Sequence, residues 1–189
     1  MIFASRNKHK LREMRELLPG VALEPLPEGV ELPPEEGEDF AAIALEKARA
    51  AHRATGGAAM ADDSGIGAVA LGGRPGVHSA RYGGPDATDE ENLEKLLREV
   101  GAAGSERGAY YTCALALVEA DGAERVFEAR CEGRLIEAPR GEGGFGYDPV
   151  FEIEPGTAMA ELPPARKNRV SHRARALQQL RGALESLAE

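Results

Sequence analysis

AYYTCALALVEADGAERVFEARCEGRLI, residues 109–136, is the stretch on which the fold turns. Ala109 to Ala120 is the longest strand signal in the chain, Asp121-Gly122 supplies the chemistry of a hairpin turn, and Glu124 to Ile136 returns as a second strand. A meander continues from it. The glycine-rich loop EAPRGEGGFGYDP, residues 137–149, leads into a further strand over Val150 to Ile153.

On the N-terminal side the pattern changes to strands alternating with helices. Ile2 to Ala4 reads as a short inner strand, and from Lys8 a helix presents Leu11, Met14, Leu17 and Leu18 on one face until Pro19-Gly20 stops it. Val21 to Leu26 is a candidate second strand, followed by a proline-rich loop with the acidic residues Glu35, Glu36, Glu38 and Asp39. Asp39 suits a helix N-cap, and Phe40, Ile43, Ala44, Ala48 and Ala51 make an apolar stripe that ends before Gly56-Gly57. Ala58 to Ala61 reads as a buried strand delivering Asp62, Asp63, Ser64 and Gly65 into a turn, with Ile66 to Leu71 extended beyond it. Thr88 with Glu91 forms a capping box for a helix carrying Leu93, Leu96, Leu97 and Val100 on one face. The C-terminal helix has the stripe Leu177, Leu180, Leu184 and Leu187, with Ser171 as its candidate N-cap. Early strand and helix alternation with a later hairpin predicts a mixed α/β sheet in one domain, residues 1–189, of two lobes with a groove between them.

Composition narrows the partners. The 189 residues carry 23 Lys and Arg against 32 Asp and Glu, a formal charge of −9, with no basic block of the kind that displaces counterions from a nucleic-acid backbone. An acidic chain can still bind a small polyanion where a few cations and backbone N–H groups converge and a divalent cation screens the rest. Cys113 and Cys131 lack disulfide-framework or zinc-site spacing and suit buried thiols in a reduced compartment. With no secretory pattern at the start and no apolar run long enough to span a bilayer, a cytoplasmic protein without membrane association is expected.

Four polar clusters stand at the ends of these elements, where α/β proteins build sites. Ser5-Arg6-Asn7-Lys8-His9-Lys10 places a hydroxyl, an amide and cations at a helix start, a setting for phosphates that is not a Walker A loop. Asp62-Asp63-Ser64-Gly65 follows a buried strand, and adjacent carboxylates on an extended chain point to opposite sides. With Glu35 and Glu36, one of them offers the oxygen ligands that Mg²⁺ prefers. GGFGYDP, residues 143–149, lets backbone approach a flat ligand on which Phe145 stacks while Tyr147 or Asp148 meets its edge. In KNRVSHRARAL, Lys167, Arg169, His172, Arg173 and Arg175 reverse the local charge. Taken singly, each string also suits a solvated helix start, a turn or a packed loop.

Taken jointly and in order, the clusters resemble the inosine triphosphate pyrophosphatase family. The family's Thr-x-Asn-x-x-Lys opening is matched by Ser5 to Lys10 with serine for threonine, and its Glu-x-Gly motif by Glu35-Glu36-Gly37. ADDSG at 61–65, LGGRPGVHSARYGG at 71–84, DATDEENLEKLL at 86–97, GGFGYDPVF at 143–151 and Lys167 ahead of SHR at 171–173 complete the match. The resemblance implies a homodimer, each subunit an elongated mixed β-sheet with helices on both sides and the nucleotide in a cleft between two lobes. It implies cleavage of ITP, dITP or XTP by water to the monophosphate and pyrophosphate, with Mg²⁺. By the same resemblance Asp63 is the general base and a metal ligand, and Glu35 is the other ligand. Ser5, Arg6, Asn7, Lys8, His9 and Lys10 surround the phosphates, Ser64 helps position them, and Lys167 lies along the nucleotide. Phe145, Gly146, Tyr147 and Asp148 form the base pocket with His172 and Arg173. Asp62 is a supporting partner of Asp63. Septum-formation-type nucleotide pyrophosphatases are a related alternative, against which SHR and GGFGYDP argue. A nucleotide-binding regulatory module without turnover is another, and Glu35 and Asp63 together argue against it.

Overall fold

The computed structural model describes the backbone of residues 1–185 and side chains through residue 182. In chain order the elements are β1 (Ile2–Phe3), α1 (Lys8–Leu17), β2 (Glu24–Pro25), α2 (Phe40–Thr55), β3 (Ala59–Ala68), α3 (Asp89–Ala103), β4 (Gly108–Val118), β5 (Glu124–Leu135), β6 (Phe151–Glu154), β7 (Thr157–Ala158), α4 (Pro164–Val170) and α5 (His172–Glu185). The strands form a sheet in the order β2-β1-β3-β4-β5-β6-β7. Strand β1 runs parallel to β2 and β3, whereas β6 is antiparallel to β5 and β7, so the sheet is mixed. The expected mixed α/β fold is what forms.

The described chain divides into two compact units, one of residues 1–63, 113–129 and 173–185, the other of 64–112 and 130–172. In the first, side-chain alternation along the strands sorts two cores. Phe3, Met60, Cys113, Leu115 and Leu117 meet Met14 and Leu18 near α1 and Ala176, Leu177 and Leu180 of α5. Ala4, Ala59, Ala61, Ala114, Ala116 and Val118 face Ala44, Ala48 and Ala51 of α2. Helices therefore cover both faces, the alanine-lined one by close approach of α2. The second unit has its own core, built from Ile66, Leu93, Leu96, Val100, Tyr111 and Phe151 among others.

Local chemistry starts and ends these helices as expected. Asp39 Oδ1 accepts from the Ala41 N–H at 2.9 Å, and Gly56 closes α2 at φ 68°. Thr88 and Glu91 make both bonds of the capping box. Three expectations are corrected. Asp62 to Gly65 is not a turn but the middle of the continuous strand β3, because buried cations neutralise its carboxylates and the chain need not leave the sheet to solvate them. The second strand shrinks to Glu24–Pro25 at the sheet edge, where Pro25 has no N–H to extend the pairing. Residues 69–71, expected extended, form a 3₁₀ turn. The short helix α4 and strand β7 were not expected. Leu177 and Leu180 of the C-terminal stripe are buried, whereas the Leu184 side chain and Leu187 lie outside the described residues. Among the described residues no helix is long and apolar enough to cross a membrane.

Candidate active site

The first unit gathers one set of site residues. Asn7 caps α1, its Oδ1 accepting from the N–H groups of His9 at 2.9 Å and Lys10 at 3.3 Å, while Ser5 Oγ accepts from the Asn7 N–H at 3.2 Å. That turn leaves Lys8 and His9 exposed at the helix start and aims Lys10 inward, where its Nζ lies 3.2 Å from Asp62. Arg6 is committed elsewhere: its guanidinium donates to the carbonyl oxygens of Leu26, Pro27 and Val30 at 2.7–3.1 Å, clamping the loop after β2. It is a loop-holding residue here.

Asp62 and Asp63 on β3 have opposite surroundings. Asp62 is fully buried, with Arg173 Nη2 at 2.8 Å and Lys10 at 3.2 Å. Burial alone would raise its pKa, but Lys10 and Arg173 outweigh that and hold it below the usual carboxylate range. Asp63, 5% exposed, accepts from Lys47 Nζ at 2.8 Å, and the same ammonium donates to Glu35 Oε1 at 3.0 Å. Burial is the larger influence on Asp63 and pushes its pKa up against the pull of Lys47 and Lys10. Lys47 stays protonated despite burial, because Asp63, Glu35 and Asp62 raise its pKa more than desolvation lowers it. Glu36, the neighbouring candidate, is exposed.

Lys47 and Glu13 were missed from sequence. Lys47 sits in the buried stripe of α2 between Ala44 and Ala48, so a lysine at a core position of an apolar stripe was the available signal. Glu13 is its counterpart beside Met14 in α1. Arg173, expected at a base pocket beside His172, is 1% exposed and bound to Asp62 and, at 2.5 Å, to Glu13. A guanidinium needs such partners to be buried, and two carboxylates of the first unit supply them.

Those candidates meet in the second unit. Asp148, 3% exposed, accepts from Lys167 Nζ at 2.7 Å and the Phe145 N–H at 3.0 Å through Oδ2, and from the Tyr111 hydroxyl at 3.3 Å through Oδ1. Lys167, carried by α4, also lies 5.0 Å from the Phe145 ring centroid. Gly144 makes the loop possible: its φ is +72°, and a Cβ there would collide with Asp148 Oδ2. The Gly146 N–H donates to Asp89 at 2.8 Å, and the buried Tyr147 hydroxyl donates to the Ser79 carbonyl at 2.7 Å, so Tyr147 anchors the loop. The His172 ring is stacked on Tyr111, centroids 4.5 Å apart and planes 8° from parallel. Ser64, half-buried, follows Asp63 on β3.

The Ham1 family profile matches residues 1–183. The chain is 48% identical to the dITP/XTP pyrophosphatase of Geobacillus kaustophilus over 95% of its own length and 91% of that protein, and 46% identical to that of Geobacter sulfurreducens over 97% and 96%. A solved HAM1 protein from Coxiella burnetii superposes with a TM-score of 0.86 at 41% identity, covering 98% of both chains. The chain belongs to the Ham1 family.

Proposed function

We propose that this chain is a nucleoside-triphosphate pyrophosphatase that hydrolyses non-canonical purine nucleotides, dITP, ITP and XTP, to the monophosphate and pyrophosphate. The observation that carries the reading is Asp63, a buried carboxylate with a raised pKa paired through Lys47 to Glu35, in a chain 48% identical to a dITP/XTP pyrophosphatase.

Water attacks the α phosphorus, the α–β anhydride bond breaks, and pyrophosphate leaves with the electron pair. Asp63 takes the proton, and its raised pKa brings it nearer the operating pH than an ordinary aspartate. Ser5, Asn7, Lys8 and Lys10 hold the phosphates, with His9 and Ser64 beside them, and Lys167 lies along the nucleotide. Arg6 and Arg173 act indirectly, Arg6 by holding its loop and Arg173 by holding Asp62. The donor set suits Mg²⁺: the oxygens of Glu35 and Asp63 converge on one ammonium, and a hard cation takes one or two carboxylates and leaves its other positions to water and phosphate. When bound, it supplies charge neutralisation at the phosphates and a more acidic water.

The purine is read by Phe145, Gly146, Tyr147, Asp148 and His172. Hypoxanthine and xanthine present a 6-oxo acceptor and an N1–H donor, which match a donor on His172 and the carboxylate of Asp148. Adenine presents the opposite pair and leaves both groups mismatched. The reading includes a cytoplasmic homodimer acting on free nucleotides. Its test is pyrophosphate release from dITP, ITP, XTP, dATP, ATP and dTTP with Mg²⁺, the nucleotide product being identified. Monophosphate from the first three alone is the expected result, and equal turnover of ATP or a diphosphate product overturns it.

A further inference from the structure

Tyr111 lies on β4 in the apolar core of the second unit, beside Leu96, Val100 and Phe151 among others. Ala109 precedes it on the same face, and its ring meets Phe151 edge-on at 4.7 Å and 61°. Phenylalanine would fill that volume equally well. What the core does not require is the hydroxyl, which donates to Asp148 Oδ1 at 3.3 Å while the ring face lies flat against His172. One side chain, itself 6% exposed, therefore touches both groups assigned above to the purine edge.

Each contact fixes a different degree of freedom. The imidazole, 8° from parallel to the tyrosine ring, cannot rotate about its outer torsion without losing the stack. The carboxylate of Asp148 is turned by bonds to both oxygens: Lys167 and the Phe145 N–H act on Oδ2, and Tyr111 acts on Oδ1. Lys167 supplies charge, but an ammonium is a point donor and fixes a carboxylate plane poorly by itself. A hydroxyl on the other oxygen sets that plane. Rejection of a wrong base depends on donors and acceptors held where the right base needs them, so a loosened pair re-aims and discriminates less.

We propose that Tyr111 is a specificity-setting positioning residue, holding His172 and Asp148 in register for a 6-oxo, N1–H purine edge. This rests on the base reading above, and the test separates the two. Steady-state kcat/KM is measured for dITP, XTP and dATP with Tyr111→Phe, Tyr111→Leu, His172→Ala and Asp148→Asn, alongside thermal melting. Tyr111→Phe keeps the stack and the volume, and is expected to melt within a few degrees of the parent. Its kcat/KM for dITP and XTP should fall about tenfold, as expected for one hydrogen bond to a charged group, with dATP nearly unaffected. Tyr111→Leu should lose selectivity as far as His172→Ala. Parental selectivity in Tyr111→Phe, with His172→Ala and Asp148→Asn both impaired, overturns the role of Tyr111 and leaves the base reading standing. An equal fall on all three substrates makes Tyr111 a packing residue and also overturns it. Unchanged selectivity in all four variants removes the base reading and the inference with it.

Discussion

Two adjacent aspartates on one strand have pKa values displaced in opposite directions, and the causes are burial and the cations each meets. Asp62 points to Lys10 and Arg173 and is held firmly ionised; Asp63 points to Lys47 and is pushed up by burial. Because Lys47 pulls the Asp63 pKa down against that burial, Lys47→Met should raise it further. The base must be ionised to act, so the acid limb of kcat/KM moves to higher pH, and the activity deficit is greatest at low pH and narrows as pH rises. A pH profile of dITP turnover checks this, and a limb unmoved in Lys47→Met would contradict the geometry. From sequence the alternation of strand side chains put Asp62 and Asp63 on opposite sides and the resemblance assigned their roles, but neither gave a partner to either. Partners 16 and 111 residues away, Lys47 and Arg173, are brought in by tertiary packing that no local pattern encodes.

At the scale of elements, Arg173 joins three of them: α5, which carries it, α1 through Glu13, and β3 through Asp62. Removing it takes the guanidinium from two buried carboxylates, leaving Lys10 beside Asp62, and breaking a buried pair from one side typically costs about 3–5 kcal/mol. Arg173→Met should lose about that much unfolding free energy in urea at pH 7. The sign with pH follows from the depressed Asp62 pKa: the stabilisation by Arg173 is present above the unfolded aspartate value of about 4 and is lost as pH falls below it, so the deficit shrinks in acid. A variant as stable as the parent at pH 7 would contradict the account. The helices were legible because their caps and stripes are local, as Asp39, Thr88 with Glu91, and the Ala44-Ala48-Ala51 face show. Strand β3 was cut short because Asp62-Asp63-Ser64-Gly65 is turn chemistry in water. Only the buried cations make them strand residues.

Across the whole molecule, a chain of net charge −9 directs several of its cations to two polar sets, one in each unit. The mixed sheet was readable from the 109–136 hairpin and the alternation before it. The strand order, which places β1 between β2 and β3, is a long-range outcome and was not. The resemblance of the motifs supplied most of the candidate site residues, and the structure adds their protein partners: Arg6 holds loop carbonyls, Arg173 holds Asp62 and Glu13, and Lys47 and Tyr111 contact the candidate carboxylates. The central claim is hydrolysis at the α phosphorus by a water that Asp63 deprotonates. It is tested most directly by Asp63→Asn, with pyrophosphate release from dITP and dITP binding by calorimetry measured on the same preparation with Mg²⁺. The account predicts turnover lowered by roughly 10²–10⁴-fold, the usual worth of a general base, with nucleotide binding still measurable. Turnover at the parent rate in Asp63→Asn would contradict it.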